Sequence, residues 1–154
     1  MKLPVFVVFF CSVIYLQAQN NQIDKYYQQN KGNIKRSQSV GTVSNGKLIN
    51  GKLMPFSGPN FCYFDTSSYL AGRAFVHEKV KNTILNTYQA YKKMDPNRKF
   101  CLMECSNEHG GKLFPHHTHQ NGLSVDFMMP LKQHKLPYYD LDNLGKNHYW
   151  LEFD

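Results

Sequence analysis

One stretch of this sequence has the apolar spacing of a long helix, and the apolar runs around it are short. Between about residues 75 and 93, apolar side chains recur at every fourth position, as they do along the buried face of a helix. The members of this stripe are Val76, Val80, Ile84 and Tyr88. Asp95-Pro96 ends the pattern, because a proline disfavours helical backbone at the residue before it. The sequence therefore predicts one main helix that must pack on another element to bury its stripe.

The other apolar runs have the length or the alternation of strands. Residues 40–54 contain Asn45-Gly46 and Asn50-Gly51, dipeptides that favour turns between short strands. Further strands are predicted at residues 99–105, 124–129 and 149–153. Residues 56–69, rich in Pro, Gly, Ser and aromatic residues, are predicted to be irregular. We therefore expect an α+β fold in which one main helix packs on a small, mostly antiparallel sheet with long loops.

The first 18 residues have the pattern of a secretory signal peptide. Lys2 precedes an apolar stretch at residues 5–16 that is too short to span a bilayer, and Ala18 is a small residue suited to cleavage. The alternative is an uncleaved N-terminal anchor, and either would place the domain outside the cytoplasm, in the periplasm or secreted. Residues 19–36 are polar and rich in Asn and Gln, and we expect an extended arm there. Residues 37–154 are left for one domain.

Composition and charge exclude several classes of protein. The chain of 154 residues suits one domain, and its 14% aromatic content is too high for a disordered protein. No apolar run has the length of about 18 residues that would predict a membrane span. The net charge of +7 is spread thinly along the chain, so nucleic acid is not an expected partner. A basic surface outside the cytoplasm suits an anionic cell wall or lipid headgroups instead.

The cysteines leave one thiol over after any pairing. Cys11 lies in the predicted signal peptide, which leaves Cys62, Cys101 and Cys105 for the domain. Four steps of extended chain place Cys101 and Cys105 too far apart for a direct bridge. Any disulfide is therefore expected to use Cys62, with either of the other two as its partner.

A cluster of histidines followed by an aspartate has the composition of half a metal site. His116, His117 and His119 are followed by Asp126, and Gly122 stands between His119 and Asp126. The glycine allows a sharp turn, after which the strand would direct Asp126 back toward the imidazole of His119. Imidazole nitrogen and carboxylate oxygen are ligands that suit zinc. An exposed polar loop is the alternative interpretation on composition alone.

The wider sequence favours the metal site. The strings SQSVGTVSNGKLINGKLMP from Ser37 and HGGKLFPHHTHQNGLSVDF from His109 stand on either side of the helical region of residues 69–91. In this order they resemble the penicillin-insensitive murein endopeptidases, zinc peptidases of the lysostaphin and D-Ala-D-Ala metallopeptidase group. The family string S-H-Q-x-G-x-D-V-D corresponds here to residues 118–126, and the resemblance covers roughly residues 37–131.

The resemblance implies a role for several residues. It implies that His119 and Asp126 are zinc ligands and that His116 matches a family histidine lining the active site, a catalytic position. It implies a peptidase that hydrolyses D-alanyl–diaminopimelyl cross-links between peptidoglycan stem peptides by means of water activated by Zn²⁺. His117 matches no family role. Glu104 and Glu108 flank the cluster and could support it, but solvated loop carboxylates are the favoured interpretation.

One part of the family pattern is missing from these residues. In the family, the third zinc ligand and a catalytic histidine come from a downstream H-x-H, and no such motif follows Asp126. His148 is the possible third ligand within the chain. We expect either a C-terminally incomplete, inactive fragment of such an enzyme or, as the alternative function, a non-catalytic pseudopeptidase that binds the cell wall. A third possibility is a basic exported protein that captures metal through its histidines.

Overall fold

Three helices and nine short strands make up the computed structural model, which describes residues 5–130, 132–133, 136–137, 142, 144–145 and 147. The helices are α1 (Val5–Asn30), α2 (Thr66–Leu70) and α3 (Glu78–Met94). The strands are β1 (Gln38–Gly41), β2 (Gly46–Ile49), β3 (Lys52–Leu53), β4 (Ser57–Gly58), β5 (Phe61–Tyr63), β6 (Phe75–Val76), β7 (Phe100–Leu102), β8 (Lys132–Gln133) and β9 (Leu136–Pro137). The architecture confirms the predicted α+β class. The predicted strand at residues 149–153 lies outside the described residues.

The strands form several small sheets, and most of their pairings are antiparallel. β1 and β2 form the hairpin predicted around Asn45-Gly46, and β3 pairs with β6. The third sheet has the order β4-β5-β7, in which β5 and β7 run parallel. Parallel neighbours need a crossover connection, and the segment that contains α2, β6 and α3 provides it. The main helix therefore packs where the sequence predicts it, across a sheet made of the segments on either side of it.

The core is rich in aromatic rings. Tyr69 is fully buried and makes edge contacts with Phe56 and Tyr63, whose ring centroids lie 5.1 and 5.3 Å away. Tyr88, on the predicted stripe of α3, stacks on Phe61 of β5 at 4.7 Å and on Phe100 of β7 at 5.2 Å. Offset and edge arrangements of this kind add to the stabilisation that burial provides. The stripe thus fixes α3 against the parallel pair of strands.

The prediction of an irregular segment at residues 56–69 is wrong. The segment contains β4, β5 and most of α2. Asp65 begins α2 by accepting a hydrogen bond from the backbone N–H of Ser68 at 2.8 Å, an ordinary N-terminal cap. Of the residues that suggested a loop, Gly58 belongs to β4 and pairs with Phe61, and Pro59 lies in the short turn between them. The buried aromatic side chains decide the conformation of the rest.

The prediction of an extended arm at residues 19–36 is also wrong in its first part. Residues 19–30 belong to α1, and Ile23 is buried in the main core. Tyr26 packs edge-on against Tyr69 at 5.6 Å, and Lys81 lies over the ring of Tyr27 at 5.5 Å. The polar composition of the segment hid these contacts of three of its residues. Among the residues that the structure describes, no helix has the length and apolar character needed to cross a membrane.

Residues 126–128 extend the third sheet beyond β7. The backbone N–H of Asp126 donates to the carbonyl of Glu104, and that of Met103 donates to the carbonyl of Asp126, both at 2.9 Å. Leu102 and Phe127 form an antiparallel bridge, and Met128 donates to Cys101. The predicted strand at residues 124–129 is therefore present as a short irregular pairing. Its apolar alternation is less regular than expected, since Phe127 and Met129 are exposed and Met128 is buried.

We expect Cys62 and Cys101 to form a disulfide when the protein is incubated with oxidised glutathione. The two residues are direct partners in the β5–β7 register, and neighbouring strands lie about 4.8 Å apart, within the range that a disulfide spans. Cys105 is fully buried away from this pair and should stay a thiol. Peptide mapping by mass spectrometry without reductant identifies the linkage. Reduction should lower the melting temperature on the order of 10 °C.

Cys105→Ser is the matched control for this experiment. It should keep both the linkage and the melting temperature shift, whereas Cys101→Ser should lose both. A linkage between Cys62 and Cys105, or three thiols after oxidation, would contradict the expected pairing.

Candidate metal centre

Three side chains from one eleven-residue segment, residues 116–126, converge beside the end of β7. The potential ligand atoms of His116, His119 and Asp126 all lie within 4.8 Å of one another. The two imidazole rings are 4.8 Å apart and nearly perpendicular, at 72°. Asp126 faces both rings, with Oδ1 3.3 Å from Nε2 of His119 and Oδ2 3.7 Å from Nδ1 of His116. Two nitrogens and a carboxylate at this spacing could hold a metal ion.

The backbone around His119 is strongly constrained. His119 is 3% exposed and has a φ of +68°, in the left-handed region that few side chains adopt. The Ser106 hydroxyl donates to its carbonyl, and the next backbone N–H, of Gln120, donates to Val43 at 2.9 Å. These bonds connect the loop to the end of β7 and to the β1–β2 turn. They hold a conformation that the loop alone would not favour.

The hydrogen bond made by the His119 ring determines which nitrogen faces Asp126. Nδ1 lies 3.2 Å from the carbonyl oxygen of Ser124. A carbonyl oxygen only accepts, so Nδ1 carries the hydrogen and Nε2 keeps its lone pair when the ring is neutral. A protein that binds metal through histidine commonly fixes the other ring nitrogen in this way. Nε2 is thus prepared as a metal ligand.

Gly122 provides the sharp turn between His119 and Asp126. Its φ is +77°, and a β-carbon there would lie 2.7 Å from Cδ1 of Leu48 and 3.0 Å from the backbone nitrogen of His77. That nitrogen donates to the Gly122 carbonyl at 2.9 Å. The backbone therefore approaches β2 and the start of α3 too closely for a side chain. The turn returns the chain to β7, where Asp126 pairs.

Sequence reasoning underestimated Glu104. Its carboxylate is 12% exposed and lies 2.7 Å from Nε2 of His116. Arg73 forms a salt bridge with it at 2.6 Å, and the Ser68 hydroxyl donates to its other oxygen at 3.0 Å. Burial works against the charge, but hydrogen bonds from Arg73, Ser68 and His116 lower the pKa of Glu104 below its usual value. The available signal was an acidic residue inside an otherwise apolar predicted strand.

The remaining predicted residues lie away from the cluster or outside the described residues. Glu108 is exposed, as predicted, and its carboxylate lies 4.0 Å from the ring of His109. His117 is exposed, which agrees with its lack of a family role. His148, the possible third ligand, lies outside the residues that the structure describes. Arg73 and Ser68 lie far upstream in the chain, and no local motif pointed to either of them.

An open groove of about 770 Å³ runs beside the cluster. His116, Glu104, Ser68, Arg73 and Phe114 are among the residues that line it. Phe114 is 88% exposed. The lining thus combines charged side chains next to the potential ligands with apolar ones, a combination suited to a peptide.

Comparison with known proteins agrees with this arrangement. A sequence model of the family described as penicillin-insensitive murein endopeptidase matches residues 39–148. The matched segment contains the whole cluster and the groove residues. No curated protein matches the chain.

The close packing of Gly122 leads to a prediction with a matched control. Gly122→Ala should lower the free energy of unfolding by about 3 kcal/mol, because it combines left-handed strain with a steric clash. Gly111 has the same φ of +77°, but a β-carbon at that position would have no neighbour within 4 Å. Gly111→Ala should therefore lower it by only about 1 kcal/mol. Urea denaturation measures both, and equal losses would show that the contacts at Gly122 do not matter.

Proposed function

The chain belongs to the family of penicillin-insensitive murein endopeptidases, and we propose that it is a zinc-dependent peptidase acting on peptide cross-links of peptidoglycan. The observation that carries this proposal is the convergence of His116, His119 and Asp126 within the segment that matches the family. Family membership supports a peptidoglycan substrate. The donor set supports a metal-assisted reaction.

The residues present fit a zinc ion. His119 and Asp126 are the proposed ligands. Nε2 of His119 and Oδ1 of Asp126 are 3.3 Å apart, close enough to coordinate the same ion. Imidazole and carboxylate together suit zinc better than calcium or magnesium, which prefer sets of oxygen ligands. When bound there, zinc supplies Lewis-acid polarisation of the scissile carbonyl and of the attacking water.

His116 is the proposed catalytic residue. It stands between the cluster and the groove, and its Nδ1 faces Asp126 at 3.7 Å while its Nε2 faces Glu104. An imidazole in this place can take a proton from the attacking water through Nδ1 and pass it to the leaving amine. The backbone pairing of Asp126 with β7 keeps its carboxylate at a fixed position during these steps.

The proposed substrate is the D-alanyl–diaminopimelyl cross-link between stem peptides, as the resemblance implies. Stem peptides carry free carboxylates, and the net charge of +7 favours their approach to the chain. The nucleophile in this scheme is water, so no serine forms an acyl-enzyme and β-lactams have nothing to acylate. Peptidoglycan lies outside the cytoplasmic membrane. We therefore propose a periplasmic or secreted location, with residues 1–18 as the signal peptide.

Zinc binding is the direct test of the ligand set. The purified chain should bind about one zinc ion weakly, because two ligands are assigned and catalytic zinc takes three. His119→Ala and Asp126→Ala should each weaken this binding further, by more than about 100-fold, beyond the usual effect of removing a supporting residue. His117→Ala is the matched control and should bind as the unmodified chain does. Isothermal titration calorimetry gives both stoichiometry and affinity. Zinc binding that both ligand variants keep would contradict the assignment.

Peptidoglycan digestion tests the reaction itself. Cross-linked muropeptide dimers should be converted to monomers only slowly in the presence of zinc, because two ligands are assigned and a catalytic zinc takes three. A chelator should stop the conversion, while penicillin should not. Liquid chromatography of the muropeptides measures the ratio of dimer to monomer. Binding to sacculi with an unchanged dimer fraction would contradict the peptidase proposal and support the non-catalytic cell-wall protein instead.

A further inference from the structure

Glu104 is a largely buried charge for which the proposed reaction has no direct use. Its two carboxylate oxygens receive separate partners. Oε1 accepts from the Ser68 hydroxyl at 3.0 Å, and Oε2 lies 2.6 Å from Nη2 of Arg73 and 2.7 Å from Nε2 of His116. Desolvating a buried charge costs free energy, and only partners held in a good geometry offset that cost.

We propose that Glu104 is a positioning residue that holds the ring of His116 with Nδ1 directed at the metal ligands. Glu104 accepts the hydrogen bond of the His116 Nε2–H and thereby selects one tautomer and one ring orientation. The value of that orientation for catalysis rests on the proposed function. The orientation itself rests only on the contacts of these residues.

The chemistry of the partners determines the direction of the hydrogen bond. Arg73 is always protonated and can only donate, and it donates to the oxygen that also faces His116. A carboxylate held by a guanidinium is an acceptor, so the ring nitrogen 2.7 Å away must be the donor. A neutral imidazole has one N–H. With the hydrogen on Nε2, the lone pair of His116 is on Nδ1, the nitrogen that faces Asp126.

Glu104 is itself fixed from two directions. Its backbone carbonyl accepts the N–H of Asp126 at 2.9 Å, so the same residue holds the ring of His116 and the backbone of a proposed ligand. Arg73 also donates to the carbonyl of Phe114 at 2.8 Å, two residues before His116. The backbone N–H of Cys105 in turn donates to the carbonyl of Arg73 at 2.9 Å. The ring and the loop of His116 are thus attached to one rigid segment after β7.

The test determines the tautomer of His116 in the metal-free chain. Long-range ¹H–¹⁵N NMR spectra distinguish a protonated ring nitrogen from one with a lone pair, and comparison with His116→Ala assigns the signals. The original chain should show hydrogen on Nε2 of His116. Glu104→Ala should lose this preference and give a mixture of tautomers, while Glu104→Gln, which keeps an amide oxygen as acceptor, should retain much of it.

Glu108→Ala is the matched control, because Glu108 is an exposed carboxylate outside the cluster, 4.0 Å from the ring of His109. It should leave the spectrum of His116 unchanged. A second measurement is the zinc affinity of each variant, which should change by less than about 10-fold in Glu104→Ala, because His116 is not a proposed ligand. Glu104→Met, which has a similar length but no oxygen acceptor, should lose the tautomer preference in the same way and keeps the test valid where the alanine variant fails to fold.

The outcomes separate this proposal from the proposed function. An unchanged His116 tautomer in Glu104→Ala or in Glu104→Met would overturn the positioning role. A lost tautomer preference would support it; with an unchanged zinc affinity it also agrees with the assignment of His119 and Asp126, rather than His116, as the ligands. The NMR measurement requires neither zinc nor peptidoglycan. It therefore tests the role of Glu104 even if the chain fails to digest peptidoglycan.

Discussion

The pairing of residues 126–128 with the end of β7 is the interaction on which the rest of the site depends. Through it, the backbone of Asp126 is bonded to Met103 and Glu104, and Glu104 in turn reaches His116. β7 is placed by its parallel pairing with β5, and α3 presses Tyr88 against both strands. The packing of α3 thus fixes the position of β7, and β7 in turn fixes the position of Asp126 and its neighbours.

Sequence reasoning succeeded where one local signal matched one element. The stripe of α3, the Asn45-Gly46 hairpin and the strand before Glu104 each had a periodicity or a turn dipeptide of their own, and each is present. The predicted start of the helix is wrong, because Val76, the first member of the stripe, lies in β6 and pairs with β3. The family resemblance came from a string with distinctive spacing at residues 118–126, and the match over residues 39–148 confirms it. The same string contains His119 and Asp126, and His116, the third side chain that the fold brings together, stands two residues before it. Their roles remain predictions.

Sequence reasoning failed where distant contacts decide the conformation. The segment before α2 looked like a loop because Pro, Gly and Ser interrupt its aromatic residues, yet Phe61 and Tyr63 are buried and make it a strand. The polar start of the chain concealed the buried Ile23 and also Tyr26, whose partner Tyr69 lies more than 40 positions away. Arg73 and Glu104 are 31 residues apart, and only the crossover between β5 and β7 brings them to His116. No pattern within a short window contains that information.

The proposed ligands all come from a single loop that is strained at His119 and closely packed at Gly122. Local opening of such a loop need not unfold the whole domain, but it would break the hydrogen bonds at His119 and Gln120 and the close contact of Gly122 with Leu48. Each transient opening would disperse the donor atoms and release an ion. The exchange rate of a bound metal would therefore report how often residues 117–125 open locally. A substitution far from the ligands that promotes this opening would shorten the residence time of the metal without changing the melting temperature.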